Sequence, residues 1–213
     1  MKEYYYVEDL KEQYAESYKL IPEGFEDLRI RSYDIIDKVE IGGVLFVGIN
    51  PSFDENNTGS CYGCVRPSEG WGYEHPYFVK PKLLNERIGD SGFSHVDLFS
   101  VRSRHQWRVR QLVDCSKSRA FFVEKQYELF RKIVDGTMPR CIVVINGMAS
   151  GLIRDGKVLG KMQHDDELGV DMYEVNGKRI PVFYSGMLSG AHALDNGSFD
   201  RLLWHIKYVL RQT

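Results

Sequence analysis

Val44-Leu45-Phe46-Val47-Gly48-Ile49-Asn50-Pro51-Ser52 is the stretch on which the reading of this chain turns. Val44 to Val47 are uniformly apolar and are bounded by Gly42-Gly43 and by Gly48. That is the pattern of a strand covered on both faces, as in a parallel sheet. In open α/β sheets ligands bind in the crevice outside the carboxyl ends of the strands, and Asn50 falls at such an end. Pro51 restricts the backbone of Asn50 to extended conformations, so the carboxamide is aimed rather than floppy.

Around this strand the chain has the proportions of one domain over residues 1–213, since its 43% hydrophobic content supports a single core without staples. Three further apolar runs, at residues 93–101, 141–145 and 180–184, are separated by helix-length segments. Between residues 118 and 134, Phe121, Phe122, Tyr127, Phe130, Ile133 and Val134 recur near a 3.6-residue period. Residues 199–210 carry a second such stripe, with Ser198 or Asn196 placed to cap its start. Residues 4–20 and 25–39 read as helices, so that residues 1–40 form an N-terminal helical segment packed on the body. Strands alternating with helices imply right-handed parallel crossovers. The expected fold is α/β: a three-layer α/β/α sandwich with a central, mainly parallel four-stranded sheet. Asn176-Gly177 between two apolar stretches adds a hairpin.

No apolar run reaches the ~18 residues of a membrane span, and the first six residues lack the pattern of a secretion signal. A cytoplasmic protein is expected, with no membrane partner and no obligate protein partner, acting as a monomer. A net charge of -2 excludes a histone-like mass binder. Charge is nevertheless concentrated: Arg102, Arg104, His105, Arg108 and Arg110 lie within nine residues around Trp107. Arginine forks pair with phosphate oxygens and an indole can lie against sugar or base, although the same run also suits a solvated face. Cys61-x-x-Cys64 has a spacing usable by zinc or an iron–sulfur cluster, but free thiols in a reducing compartment are the commoner state, so no cofactor is expected. Cys141 opens an apolar run and reads as a small core residue.

Gly48-Ile49-Asn50-Pro51-Ser52 resembles the first motif of the uracil-DNA glycosylase superfamily, closest to its mismatch-specific uracil/thymine branch, where the segment is Gly-Ile-Asn-Pro-Gly. The resemblance extends from about Val44 to the C-terminus. Gly70-Trp71-Gly72-Tyr73-Glu74-His75-Pro76 is similar to the family loop whose second aromatic stacks on an extruded base. That likeness implies stacking by Tyr73, with Trp71 or Tyr62 able to serve instead, or to pin the loop. Asp97 stands at or near the place of an asparagine that reads the base edge. An ionised carboxylate only accepts hydrogen bonds, which favours a cytosine-derived base over uracil, while a purely structural strand-end role suits it too. Residues 181–194 occupy the place of the second motif; Ser189-Gly190 agrees with it, but Met187 and Leu188 replace its polar residue and proline.

Together these likenesses imply a monofunctional DNA glycosylase acting on a uracil-like or modified pyrimidine, in DNA repair or in defence against viruses with modified bases. Asn50 would orient water, and His192 would approach the departing base unless it is an ordinary surface histidine. Ile49, Ser52, Phe53, Tyr73 and Asp97 would surround the base, with Ser52 alternatively capping a turn. Arg102, Arg104, Arg108, Lys80, Ser189 and Gly190 would meet the DNA, and Leu188, Ala193 or Leu194 would fill the gap left by the flipped base. Two other readings stay open: a catalytically inactive nucleic-acid binder on this fold, and a nucleotide- or small-molecule-binding α/β protein.

Overall fold

Val44–Gly48 is a strand with every residue buried, as a continuous apolar run between two glycine brackets demands. The computed structural model describes residues 3–53, 63–68, 74–89, 91–190 and 193–213. In chain order its principal elements are β1 (Tyr4–Tyr6), α1 (Lys11–Tyr18), α2 (Glu26–Arg31), β2 (Asp34–Ile36), β3 (Lys38–Glu40), β4 (Val44–Gly48) and β5 (Cys64–Arg66). They continue with α3 (Val79–Arg87), β6 (Phe93–Asp97), α4 (Gln106–Asp114), α5 (Glu124–Thr137), β7 (Cys141–Val144) and α6 (Gly147–Arg154). The chain ends with β8 (Gln163–Asp165), β9 (Val170–Val175), β10 (Lys178–Tyr184) and α7 (Asn196–Val209).

The main sheet has six strands in the order β6-β4-β7-β10-β9-β8, not four. β6, β4, β7 and β10 are the expected parallel set. β9 adds antiparallel to β10, and β8 antiparallel to β9. β8 was hidden in the sequence because Gln163-His164-Asp165 is short and polar, which only an edge strand tolerates. The β9–β10 hairpin turns through Asn176 (φ 51°) and Gly177 (φ 74°), the two left-handed residues that a tight primed turn requires.

Side-chain alternation divides the core in two. Leu45, Val47, Ile142, Val144, Ile180 and Val182 pack with Tyr14, Tyr18, Leu28, Leu112, Ile133 and Ile153, so α1, α2, α4, α5 and α6 cover one face. Val44, Phe46, Cys141, Val143 and Phe183 pack with Leu84, Ile88, Leu203, Ile206 and Val209, so α3 and α7 cover the other. This is a three-layer arrangement, and fully buried Phe46 alone contributes about 2–3 kcal/mol of apolar burial. Cys141 is buried as expected, and burial pushes its thiol up to about 12.

The N-terminal segment departs from the all-helical expectation. Helices span only Lys11–Tyr18 and Glu26–Arg31, whereas Tyr4–Tyr6 pairs antiparallel with Lys38–Glu40 and Asp34–Ile36 pairs parallel with Cys64–Arg66. Three consecutive tyrosines and the Ile35-Ile36 pair prefer a pleated surface, and that preference prevails once partner strands are supplied from elsewhere in the chain. The cap of α7 is Asp195, whose carboxylate accepts from the Ser198 amide at 2.9 Å, in place of Ser198 or Asn196.

Connections set the crevice. From β4 the chain passes through α3 to β6 on one side; from β6 it returns across β4 to β7 through α4 and α5, then moves on to β10. The loops after β4 and β7 therefore diverge, which makes the gap between those two carboxyl ends the topological switch point.

Candidate functional site at the carboxyl ends of the strands

Asn50 follows β4 directly and is half-buried at the switch point. Its amide nitrogen donates to the Pro51 carbonyl at 2.8 Å and to the Ser103 carbonyl at 2.9 Å. Both amide protons are thereby used, the side-chain rotamer is fixed, and Oδ1 is left as an acceptor with no donor among the described residues. Ser103 is itself held by its amide on the Pro51 carbonyl and by its hydroxyl on the His105 carbonyl. The clamp on Asn50 thus comes from the arginine-rich segment after β6, a link that spacing along the chain does not reveal.

Phe53 lies between two guanidinium groups, Arg31 at 5.2 Å and Arg102 at 5.0 Å from the ring centroid. Nε and Nη1 of Arg102 are buried with no hydrogen-bond partner among the described residues. Arg104 and Arg110 are exposed, and Trp107 is exposed with its ring stacked on His105. Arg108 is committed elsewhere: Nη2 bonds Asp27 Oδ1 at 2.6 Å, and the guanidinium covers Phe25 at 4.4 Å. The basic run is therefore part surface and part structural tie to α2.

One strand over, Asp97 ends β6 with its side chain 8% exposed. Arg66 Nη2 stands 3.6 Å from its Oδ2, while Arg66 Nε bonds Asp34 Oδ1 at 2.7 Å. Burial pushes the Asp97 carboxyl up to about 6 against the opposing pull of Arg66, and burial likewise raises Asp34. His95 Nε2 lies 3.9 Å from Asp97 Oδ1, and its ring meets Tyr77 and Phe78 edge-on. Burial, aided by Arg66, lowers His95 to about 3, so its imidazole is neutral at neutral pH. The Tyr77 phenol is raised by burial and by the Asp97 charge. Gly48 makes this packing possible, because a Cβ there would collide with Oδ1 of Asp97 and come within 3.0 Å of Nε2 of His95. Asp34, Arg66, His95, Asp97 and Ser100 are among the residues that line a cavity of about 10 Å³, room for one water and not for a base.

The sequence-predicted residues are thus distributed unevenly. Asn50, Phe53 and Arg102 converge, and Ser52 is exposed beside them. The Ile49 side chain belongs to the core, and its carbonyl is taken by the Phe99 amide. Asp97 faces Arg66 and the small cavity. Lys80 donates to the Leu194 carbonyl and lies over Phe199, tying α3 to the loop before α7. In the loop after β10, Leu188 is 3% exposed and packed in the core, so the exposed apolar tip is Met187 at 36%. Ser189 is half-buried and Gly190 exposed. Cys61, Tyr62, Trp71, Tyr73 and His192 lie outside the described residues. Cys64 is in β5, and no three metal-ligating side chains cluster among the described residues. No described helix is long and apolar enough to cross a membrane. Arg66, Asp34, His95 and Ser103 were missed from sequence; only the lone cation of residues 63–68 hinted at Arg66.

Comparison with protein-family models gives no match for this chain, and comparison with curated proteins gives none either.

Proposed function

We propose that the chain is a DNA N-glycosylase that hydrolyses the bond between deoxyribose C1′ and an extruded pyrimidine. The observation that carries this reading is the fixing of Asn50: both amide protons are bound by backbone carbonyls, which leaves Oδ1 as the acceptor at the switch point. In the proposed step the C1′–N bond breaks with its electron pair going to the base. Water held by Oδ1 adds to the cationic C1′, and its proton passes to the departing base. A carboxamide has no useful pKa, so its contribution is position and stabilisation of positive charge on the sugar. Arg104 and Arg110, exposed and without a carboxylate partner among the described residues, would grip flanking phosphates. Asp97 would serve indirectly, by holding Arg66 beside the ends of β4 and β6.

A second reading has its own support. Met187, exposed and apolar, replaces the polar residue that the likeness to the second motif would put there, which favours a nucleic-acid binder without excision. Abasic-site formation on oligonucleotides carrying uracil, mismatched thymine or modified cytosine separates the two. Excision by wild type that drops by about 100-fold in Asn50→Ala supports the glycosylase. Salt-dependent DNA binding with no excision of any base in the panel supports the binder and refutes the glycosylase.

A further inference from the structure

At the amino ends of the parallel strands, about 15 Å of strand length away from Asn50, lies a cavity of about 310 Å³ lined by Arg87, Ile88, Gly89, Arg140, Lys207, Leu210 and Arg211. Arg87 and Lys207 come from the last turns of α3 and α7, and Arg211 from just beyond α7. Cations at helix C-termini interact favourably with the helix dipole, which gives Arg87 and Lys207 a structural reason to be there. It does not explain Arg140, which belongs to neither helix and precedes β7 with its amide on the Gly43 carbonyl.

Charge compensation inside the cavity is incomplete. Arg87 has Asp200 at 3.5 Å, and Arg140 Nη1 reaches only the Ile88 carbonyl at 3.4 Å. Among the described residues no carboxylate pairs with Arg140, Lys207 or Arg211. Four cations thus face one concavity with a single carboxylate at its margin, while Ile88 and Leu210 supply apolar wall. Gly89, at φ 113°, puts no side chain between the solvent and Arg140. Guanidinium forks and an ammonium converging on one space complement tetrahedral phosphoryl oxygens. The volume is that of a small ligand pocket rather than of an extended groove along a duplex.

We infer that this cavity is a second site, distinct from the carboxyl-end crevice, that binds the phosphoryl group of a free, nucleotide-sized phosphate ester or diphosphate. The inference does not depend on the proposed glycosylase activity. It is tested by calorimetric titration of pyrophosphate, adenosine monophosphate and a short single-stranded oligonucleotide into the full chain, at about 0.15 M salt to suppress loose surface binding. The wild type is expected to bind pyrophosphate or the mononucleotide at one saturable site. Arg140→Gln and Lys207→Gln each weaken it about tenfold or more, the loss of one charge-assisted hydrogen bond, and Lys161→Gln, an exposed charge control, leaves it unchanged. Should Arg140→Gln unfold through loss of its bond to Ile88, Lys207→Gln carries the test alone. Absence of saturable binding, equal affinity in all variants, or binding confined to the oligonucleotide overturns the inference.

Discussion

Replacing Asp97 by asparagine isolates the electrostatic cost of the charged cluster beneath the crevice. The carboxyl is raised from its ordinary value of 3.8 to about 6, with burial as the main cause and Arg66 opposing it. A carboxyl raised on folding binds its proton more tightly in the folded chain, so it leaves stability unchanged well below 3.8. Stability is lost as pH rises from 3.8 through about 6, and the loss is constant above that. The gap between the two values corresponds to about 3 kcal/mol. Asparagine keeps the shape and does not ionise. Urea denaturation of both proteins between pH 4 and pH 8 is therefore expected to show the stability of Asp97→Asn, relative to wild type, rising by about 2.5 kcal/mol across that window, the remainder falling below pH 4. The titration of His95, lowered to about 3, is common to both proteins and cancels in the difference, whereas Asp34, raised partly by the Asp97 charge, is relieved in Asp97→Asn and adds to the rise in the same direction. A stability difference that is flat with pH, or that falls as pH rises, refutes the account of Asp97 as a carboxylate stranded by burial.

The same cluster predicts that Gly48→Ala destabilises the fold by about 1–3 kcal/mol in urea denaturation, since the new methyl collides with the Asp97 carboxylate beside buried His95. Arg108→Ala is expected to cost about 1 kcal/mol of stability through its partly exposed tie to Asp27 and its cover over Phe25. Arg104→Ala, by contrast, should leave stability within about 0.5 kcal/mol, and under the proposed function it lowers the salt slope of DNA binding by about 1. His164, hydrogen-bonded through Nδ1 to Asp171 at 2.7 Å, should titrate above 6.5 by NMR, and Asp171→Asn should bring it down. The stability that this pair contributes is present below the unfolded value and is lost as pH rises through the folded one.

The strands that hold the crevice could be read from the sequence because each is a locally complete statement. Val44 to Val47 and Cys141 to Ile145 are apolar without interruption, and Asn176-Gly177 specifies its turn in two residues. The same locality put Asn50 at a strand end and made Pro51 its constraint. What stayed hidden depends on partners far along the chain. β1 and β3 are strands because they pair with each other across more than thirty residues, and β8 is one because β9 offers an edge. The aim of Asn50 is set by the carbonyl of Ser103, and the state of Asp97 by Arg66 and by burial beside His95. Composition and periodicity thus determined where the sheet lies and which amide stands at its rim. Only the tertiary structure decided which arginines face solvent, which leucine is core and which carboxylate is stranded, because hydrogen bonds and desolvation act between residues brought together only by folding.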